Sequence, residues 1–213
     1  MKKIIIALIS MMILIPVAGN AQNKALNKKL KKEYKDKKKE LEKQGWKLFG
    51  SSRTLDVALL LHYDKLNVLG KNGTEVNGYA SISDPKHKNL LKQNAIANAC
   101  NTYARNTGSH VKGRTVNDMG LTDSEKSEFE HFYAAYEAIV EKEIKGELKE
   151  SFALIKEDVG KKQIDMQVFY VVDEEAASRA RIRAFENAMK ESEVAQKYAE
   201  KVSEFIKEGF KNE

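Results

Sequence analysis

Cysteine and proline are almost absent from this chain of 213 residues, which has one cysteine and two prolines. A single cysteine, Cys100, excludes a disulfide within the chain, and its position on the apolar side of an alanine-rich segment predicts a buried, inert thiol. With prolines only at Pro16 and Pro85, proline-rich linkers are excluded as well. Stability therefore has to come from the packing of a hydrophobic core.

Long apolar runs are also missing, except at the N-terminus. Two lysines precede a largely apolar run over residues 4–17, and small residues stand at positions 19 and 21. This order predicts a secretory signal peptide over residues 1–21, because the apolar run is short for a membrane span. The mature chain would begin near Gln22 and be exported to the periplasm or out of the cell. Peripheral contact with the outer membrane is a further possibility that the sequence leaves open. A retained N-terminal anchor is the alternative.

Recognisable motifs of catalysis and cofactor binding are lacking too. The four histidines, at positions 62, 87, 110 and 131, are not paired at the spacing of metal ligands. The sequence contains no phosphate-binding glycine loop, dinucleotide fingerprint or nucleophile elbow. We therefore predict no metal site, no cofactor and a non-enzymatic role, with a hydrolase of unrecognised active site as the alternative.

Lysine is the residue that the chain has in excess. The segment from Lys24 to Lys47 contains eleven lysines and four acidic residues, a net charge of +7. Oppositely charged residues four apart, together with a narrow apolar stripe, predict a lysine-rich surface helix over residues 22–44 that contributes little to stability. Predicted export disfavours a nucleic-acid arm. The stripe consists of Leu26, Leu30, Tyr34 and Leu41.

Residues 45–213 predict a single α+β domain, beginning with a short extended segment after Gly45. A helix is expected from Thr54, its cap, to about Leu69, and alternating apolar residues predict a strand over residues 75–83. A second helix would start at the cap Asp84 and end before Gly108. The segment "SHVKGRTV", residues 109–116, is interpreted as a second strand.

The second half of the domain continues with helices and a hairpin. Thr122 and Glu125 form a capping box that predicts a helix to about Lys145. Two alternating segments predict an antiparallel hairpin that turns near Gly160. Asp173 would cap a last helix over residues 174–210, with a break near Ser192. The expected architecture is a mixed sheet of four or five strands packed by long helices, with an appended N-terminal basic helix.

Two groups of basic residues are the candidate binding sites. Arg179 and Arg183 would share a helical face with glutamates nearby, which is typical of a carboxylate or phosphate clamp or of a salt-bridged surface. His110, Lys112 and Arg114 would lie on one face of the predicted second strand. There they would bind an anion or protect an exposed sheet edge.

Several segments together resemble a known family. They are "KQGWKLFG", the alanine-rich "NAIANACNTYAR" followed by "SHVKGR", and "MQVFYVVDEEAASRARIRAFENA". On these segments, residues 45–190 resemble secreted bacterial envelope proteins related to the small Lpp-twenty-type surface lipoproteins. The resemblance implies a compact α/β module without established catalytic residues, and no functional residue carries over. The chain departs from that family because no cysteine for lipid attachment follows its signal peptide.

These observations predict a non-enzymatic envelope protein that binds another envelope protein or an anionic surface polymer, and no nucleic acid. Two alternatives stay open. One is the hydrolase, and the other is an adaptor whose lysine-rich helix attaches to anionic lipid or to an envelope polymer. The sequence does not determine the oligomeric state.

Overall fold

Helices and an antiparallel sheet make up the computed structural model, which describes residues 20–83, 86–158 and 160–208. The α+β class predicted from the sequence is confirmed. In chain order, the described elements are α1 (Asn20–Lys43), β1 (Lys47–Phe49), α2 (Leu55–Leu69), β2 (Gly73–Ile82), α3 (Lys88–Met119), α4 (Asp123–Ile144), β3 (Lys149–Asp158), β4 (Gln163–Asp173), α5 (Glu174–Met189), α6 (Glu193–Lys197) and α7 (Ala199–Glu208). None of the helices within these ranges has the length and apolarity needed to cross a membrane.

The sheet has four described strands in the order β1-β3-β4-β2, and all neighbouring strands are antiparallel, whereas the sequence predicted a mixed sheet. Strands β3 and β4 form the predicted hairpin around Gly160. Strand β2 returns along β4 in an unbroken register, from the pair Gly73–Asp173 to the pair Ile82–Ile164. Alternation of apolar residues along β2 and β4 sends one set of side chains to each face of the sheet.

One face of the sheet carries the main core, under α3, α4 and α5. Helix α3 crosses β2 closely, since a Cβ atom on Gly78 would overlap the carbonyl oxygen of Ala95 and lie 2.5 Å from the amide nitrogen of Ala99. Small residues on both elements permit this approach. Cys100 follows Ala99 on α3 and is 2% exposed, as predicted, and burial raises the pKa of its thiol.

The predicted second strand is wrong, because α3 continues through residues 109–116 to Met119. Thr107, Val111 and Thr115 are buried at helical spacing, and both threonine hydroxyls donate to carbonyl oxygens one turn back. Gly108 does not end the helix. It lies against the side chain of Glu137 on α4, which would have to move to admit a Cβ atom. The sequence misled because glycines and β-branched residues suggest a strand, whereas packing against α4 selects the helix.

The predicted helix caps are confirmed where they can be seen. Thr54 caps α2, Thr122 and Glu125 form the capping box of α4, and Asp173 caps α5. The last helical region is broken at Ser192, which caps α6. Asp84 and Pro85, the predicted start of α3, and most of the predicted signal peptide lie outside the described residues.

The opposite face of the sheet carries a second, smaller cluster under α1 and α2. Leu41, Trp46 and Leu59 cover the sheet residues Leu154 and Phe169, and all five are buried. The lysine-rich segment is a helix, as predicted, and the stripe residue Tyr34 packs against the same cluster. The side chains of Leu26 and Leu30, the other two members of that stripe, lie outside the described part of the chain.

Candidate functional site

Helices α1 and α2 cover only part of their face of the sheet. Towards the hairpin end of β4, polar side chains from three strands stay partly or fully exposed. The strand pairing places Tyr79 opposite Gln167, and Asp165 between Ser81 and Lys156. We call this surface the open face; it consists of Tyr79, Ser81, Lys156, Gln163, Asp165 and Gln167.

Asp165 is the centre of a hydrogen-bond network on the open face. The Ser81 hydroxyl donates to Asp165 Oδ1 at 2.8 Å, and the Gln163 amide donates to the same oxygen at 2.8 Å and to Ser81 Oγ at 2.7 Å. The Tyr79 hydroxyl is a further donor to this carboxylate. Partial burial raises the pKa of Asp165, but these donors outweigh it and hold the pKa below its usual range. The carboxylate is therefore ionised at neutral pH and fixes its neighbours.

Tyr79 is the aromatic residue of the open face, and 45% of it is exposed. Partial burial and the bond to Asp165 raise the pKa of its hydroxyl. On the edge of the sheet, the Asn98 side-chain amide donates to the Tyr79 carbonyl oxygen at 2.7 Å. With its hydroxyl and backbone both held, the ring presents an oriented apolar surface beside the Gln167 amide at little cost in conformational entropy.

Trp46 marks the other margin of the open face, beside the edge strand β1. The Lys156 ammonium lies 5.9 Å from the centroid of its ring, and the indole N–H donates to Gln44 at 3.1 Å. An open depression of about 390 Å³ adjoins it, and its lining residues include Lys47 and Leu55. Three strand spacings, roughly 14 Å, separate the two edge strands, so the surface is long enough for an extended ligand.

The predicted arginine pair lies on α5. Arg179 is exposed, and Arg183 Nε donates to Glu143 on α4 at 2.8 Å. Arg183 is therefore engaged in an ion pair between two helices, which corresponds to the salt-bridged surface that the sequence left as one of two interpretations. Its role in binding stays a prediction.

His110, Lys112 and Arg114 do not line a strand face, because the segment is helical. On a helix, Lys112 projects away from the side shared by the other two residues. Its ammonium lies 2.5 Å from Glu130 on α4, whereas the Arg114 guanidinium stacks 4.1 Å above the ring of Phe205 on α7. The structure thus places the Lys112 and Arg114 side chains against different neighbours.

Sequence reasoning missed Arg181, which lies between the two predicted arginines and is fully buried. Its guanidinium donates to Glu174 Oε2 at 2.5 Å, to the Tyr103 hydroxyl and to the Ile206 carbonyl oxygen at 3.2 Å. Burial and the Glu174 carboxylate raise the pKa of Tyr103 well above its usual value. The cluster joins α3, α5 and α7. The burial of Arg181 could have been predicted from the sequence, because Arg181 falls four residues after Ala177 on the apolar stripe of α5.

A second polar pair, in which only the histidine is fully buried, fixes α2 to the sheet. His62 is 1% exposed, and its Nε2 lies 2.5 Å from Glu75 Oε2 on β2. The rings of Phe152 and Phe169 meet the imidazole edge-on at centroid distances of 5.3 and 6.2 Å. The residues that the structure describes contain no group of three His, Cys, Asp or Glu side chains arranged as a metal site.

Comparisons of the chain with protein-family models, with curated proteins and with solved structures found no match. The resemblance to the envelope lipoproteins therefore stays a prediction. Export and the partner class stay predictions as well.

Proposed function

We propose that the protein is a non-enzymatic envelope protein that binds a hydroxyl-rich polysaccharide along the open face. The observation that carries the proposal is the oriented Tyr79 ring beside the network of Ser81, Gln163 and Asp165. An aromatic ring packs against the apolar face of a sugar. Carboxylate oxygens accept hydrogen bonds from sugar hydroxyls, and side-chain amides both donate and accept them.

The composition of the open face favours a glycan over a protein partner. Stable protein interfaces have an apolar core inside a polar rim. Here the pattern is the reverse, because the single exposed ring of Tyr79 stands among amide, hydroxyl and charged groups. Lys156 and Asp165 oppose each other in charge on neighbouring strands, so the surface suits a neutral polymer better than the anionic one predicted from the sequence. The envelope location rests on the predicted signal peptide.

Retention of the purified protein on insoluble polysaccharides tests this proposal, with cell-wall sacculi, chitin and cellulose as the probes. Tyr79→Ala removes the ring, and Gln167→Ala removes the amide opposite it. We expect Tyr79→Ala to weaken retention about tenfold, which corresponds to about 1.4 kcal/mol. The matched control is Gln93→Ala, an exposed glutamine on α3, the helix packed against the opposite face of the sheet. It should bind as the unmodified chain does.

Retention that is the same for Tyr79→Ala, Gln167→Ala and Gln93→Ala would overturn the open face as the binding site. Failure of the unmodified chain to bind any of the three polymers would overturn the proposal as stated. Release of reducing sugar ends during incubation would instead support the hydrolase alternative.

A further inference from the structure

Helix α2 is apolar on the side that faces solvent as well as on the side that faces the sheet. Ala58, Leu59 and His62 are buried on the inner side. On the outer side, the exposed fractions of the apolar residues are 43% for Val57, 49% for Leu60, 37% for Leu61 and 77% for Val68. Their spacing of three, four and seven residues aligns them in one stripe, the α2 outer face. An exposed apolar stripe of this kind is typical of an interaction surface, although Asp64 interrupts it between Leu61 and Val68.

Basic residues lie beside this stripe, mainly on α1. Helix α1 lies alongside α2, since the Lys38 ammonium is 2.5 Å from the Asp56 carboxylate and Leu41 shares a buried cluster with Leu59. By sequence α1 has ten lysines and four acidic residues, a net charge of +6. Six of the lysines and all four acidic residues lie in residues 32–43, the part of α1 whose side chains the structure describes. On α2 itself Lys65 is exposed beside the stripe, and Lys71 is exposed just beyond its end.

We propose that the α2 outer face and the lysines of α1 within residues 32–43 form a docking surface for an anionic lipid bilayer. A surface with exposed leucines and valines next to a lysine-rich helix combines the two contributions that hold peripheral proteins to such membranes. The stripe has four apolar residues, whereas a stable protein interface takes about 20–30 residues on each side. A bilayer requires no such matching area, so the stripe fits it better than a second copy of the chain.

Asp64 limits how deeply the surface inserts. It lies on the same side of α2, seven residues after Val57 and four before Val68, and it is exposed. A carboxylate there has to stay among the lipid headgroups, which it also repels. Docking is therefore shallow, and the neutral variant Asp64→Asn should bind an anionic bilayer more tightly. A protein partner that paired with Asp64 would show the opposite change.

Co-sedimentation of the full chain with vesicles tests the docking surface. The probes are vesicles of equal parts phosphatidylglycerol and phosphatidylcholine, compared with vesicles of phosphatidylcholine alone. All variants have the same N-terminal segment, so its contribution to vesicle binding is the same in each of them. We expect preference for the anionic vesicles, binding that weakens as salt is raised, and a loss of about tenfold or more in the double variant Leu60→Ala/Leu61→Ala. The matched control is Leu90→Ala on α3, where Leu90 is 51% exposed.

The results of these experiments distinguish a bilayer from other partners of the α2 outer face. Equal vesicle binding by the double variant and the unmodified chain would overturn the α2 outer face as an insertion surface, and equal binding to neutral vesicles would overturn the role of the lysines. Weaker binding by Asp64→Asn would also contradict the proposal. Self-association that the leucine changes abolish, without vesicle binding, would assign the stripe to a second copy. None of these results depends on the polysaccharide test, which uses the open face.

Discussion

The two faces of the sheet are packed to different extents. On one face, α3, α4 and α5 bury a continuous core that extends to α6 and α7 and contains the Arg181 cluster. On the other face, α1 and α2 bury a small cluster and leave the open face uncovered. The comparison indicates that the first face supplies most of the stability, whereas the second presents the surfaces to which we assign binding. Three predictions about the first face and one about both faces test this division.

The largest expected effect is the loss of Arg181. Arg181→Ala leaves Glu174 buried without its cation, and breaking a buried ion pair in this way costs about 3–5 kcal/mol. Arg183→Ala on the same helix is the matched control, because Arg183 pairs with Glu143 at a solvent-exposed position where an ion pair is worth about 0–1 kcal/mol. Urea unfolding measures both. Equal losses in the two variants would mean that the buried cluster does not anchor the core.

An intermediate effect is expected from added methyl groups at two glycines. Gly78→Ala forces α3 away from β2 and should lower the free energy of unfolding by about 1–3 kcal/mol. Gly113→Ala meets no atom within 4 Å and lies within α3, so it should raise stability by about 0.5–1 kcal/mol. Thermal unfolding of both variants provides the comparison. Destabilisation by Gly113→Ala would contradict the helical assignment of residues 109–116.

The smallest expected effect is on the stability in acid of the contact between α4 and α6. Hydrogen bonds from Lys197 and from the backbone and hydroxyl of Thr122 lower the pKa of Glu125 to about 2, from an ordinary value of 4.5. A depressed carboxyl pKa contributes stability above the ordinary value, and that contribution is lost as the pH falls from about 4.5 towards about 2. Glu125→Gln should therefore lose less stability over this range than the unmodified chain. If both proteins lost the same stability between about pH 4.5 and pH 2, Glu125 would not contribute to acid stability.

The sequence predicted the elements whose signals are local. Caps at Thr54, Thr122 and Asp173 and the alternation along β4 each act within a few residues, so they could be read directly. The misassigned strand at 109–116 shows the limit, because contact with α4 selects a helix there. Arg181 was missed because its partners, Tyr103 and Glu174, come together only in the fold.

For a similar reason, the open face could not be predicted from the sequence. Ser81 and Asp165 lie 84 residues apart in the chain and become neighbours only through the register of β2 and β4. The exposed stripe of α2 was also not identified from the sequence, because apolar residues occur on both sides of this helix. Which side of it is covered depends on where α1 and the sheet lie.

Native-state hydrogen exchange of the backbone amides tests the division between the two faces most directly. Amides of β4 and of the part of α3 against Gly78 should exchange only through global unfolding. Amides of α1 and α2 should exchange at lower free energies of opening, because a small cluster and the His62–Glu75 pair hold these helices. Protection of α1 and α2 equal to that of β4 would contradict the account, since both faces would then belong to one cooperative unit.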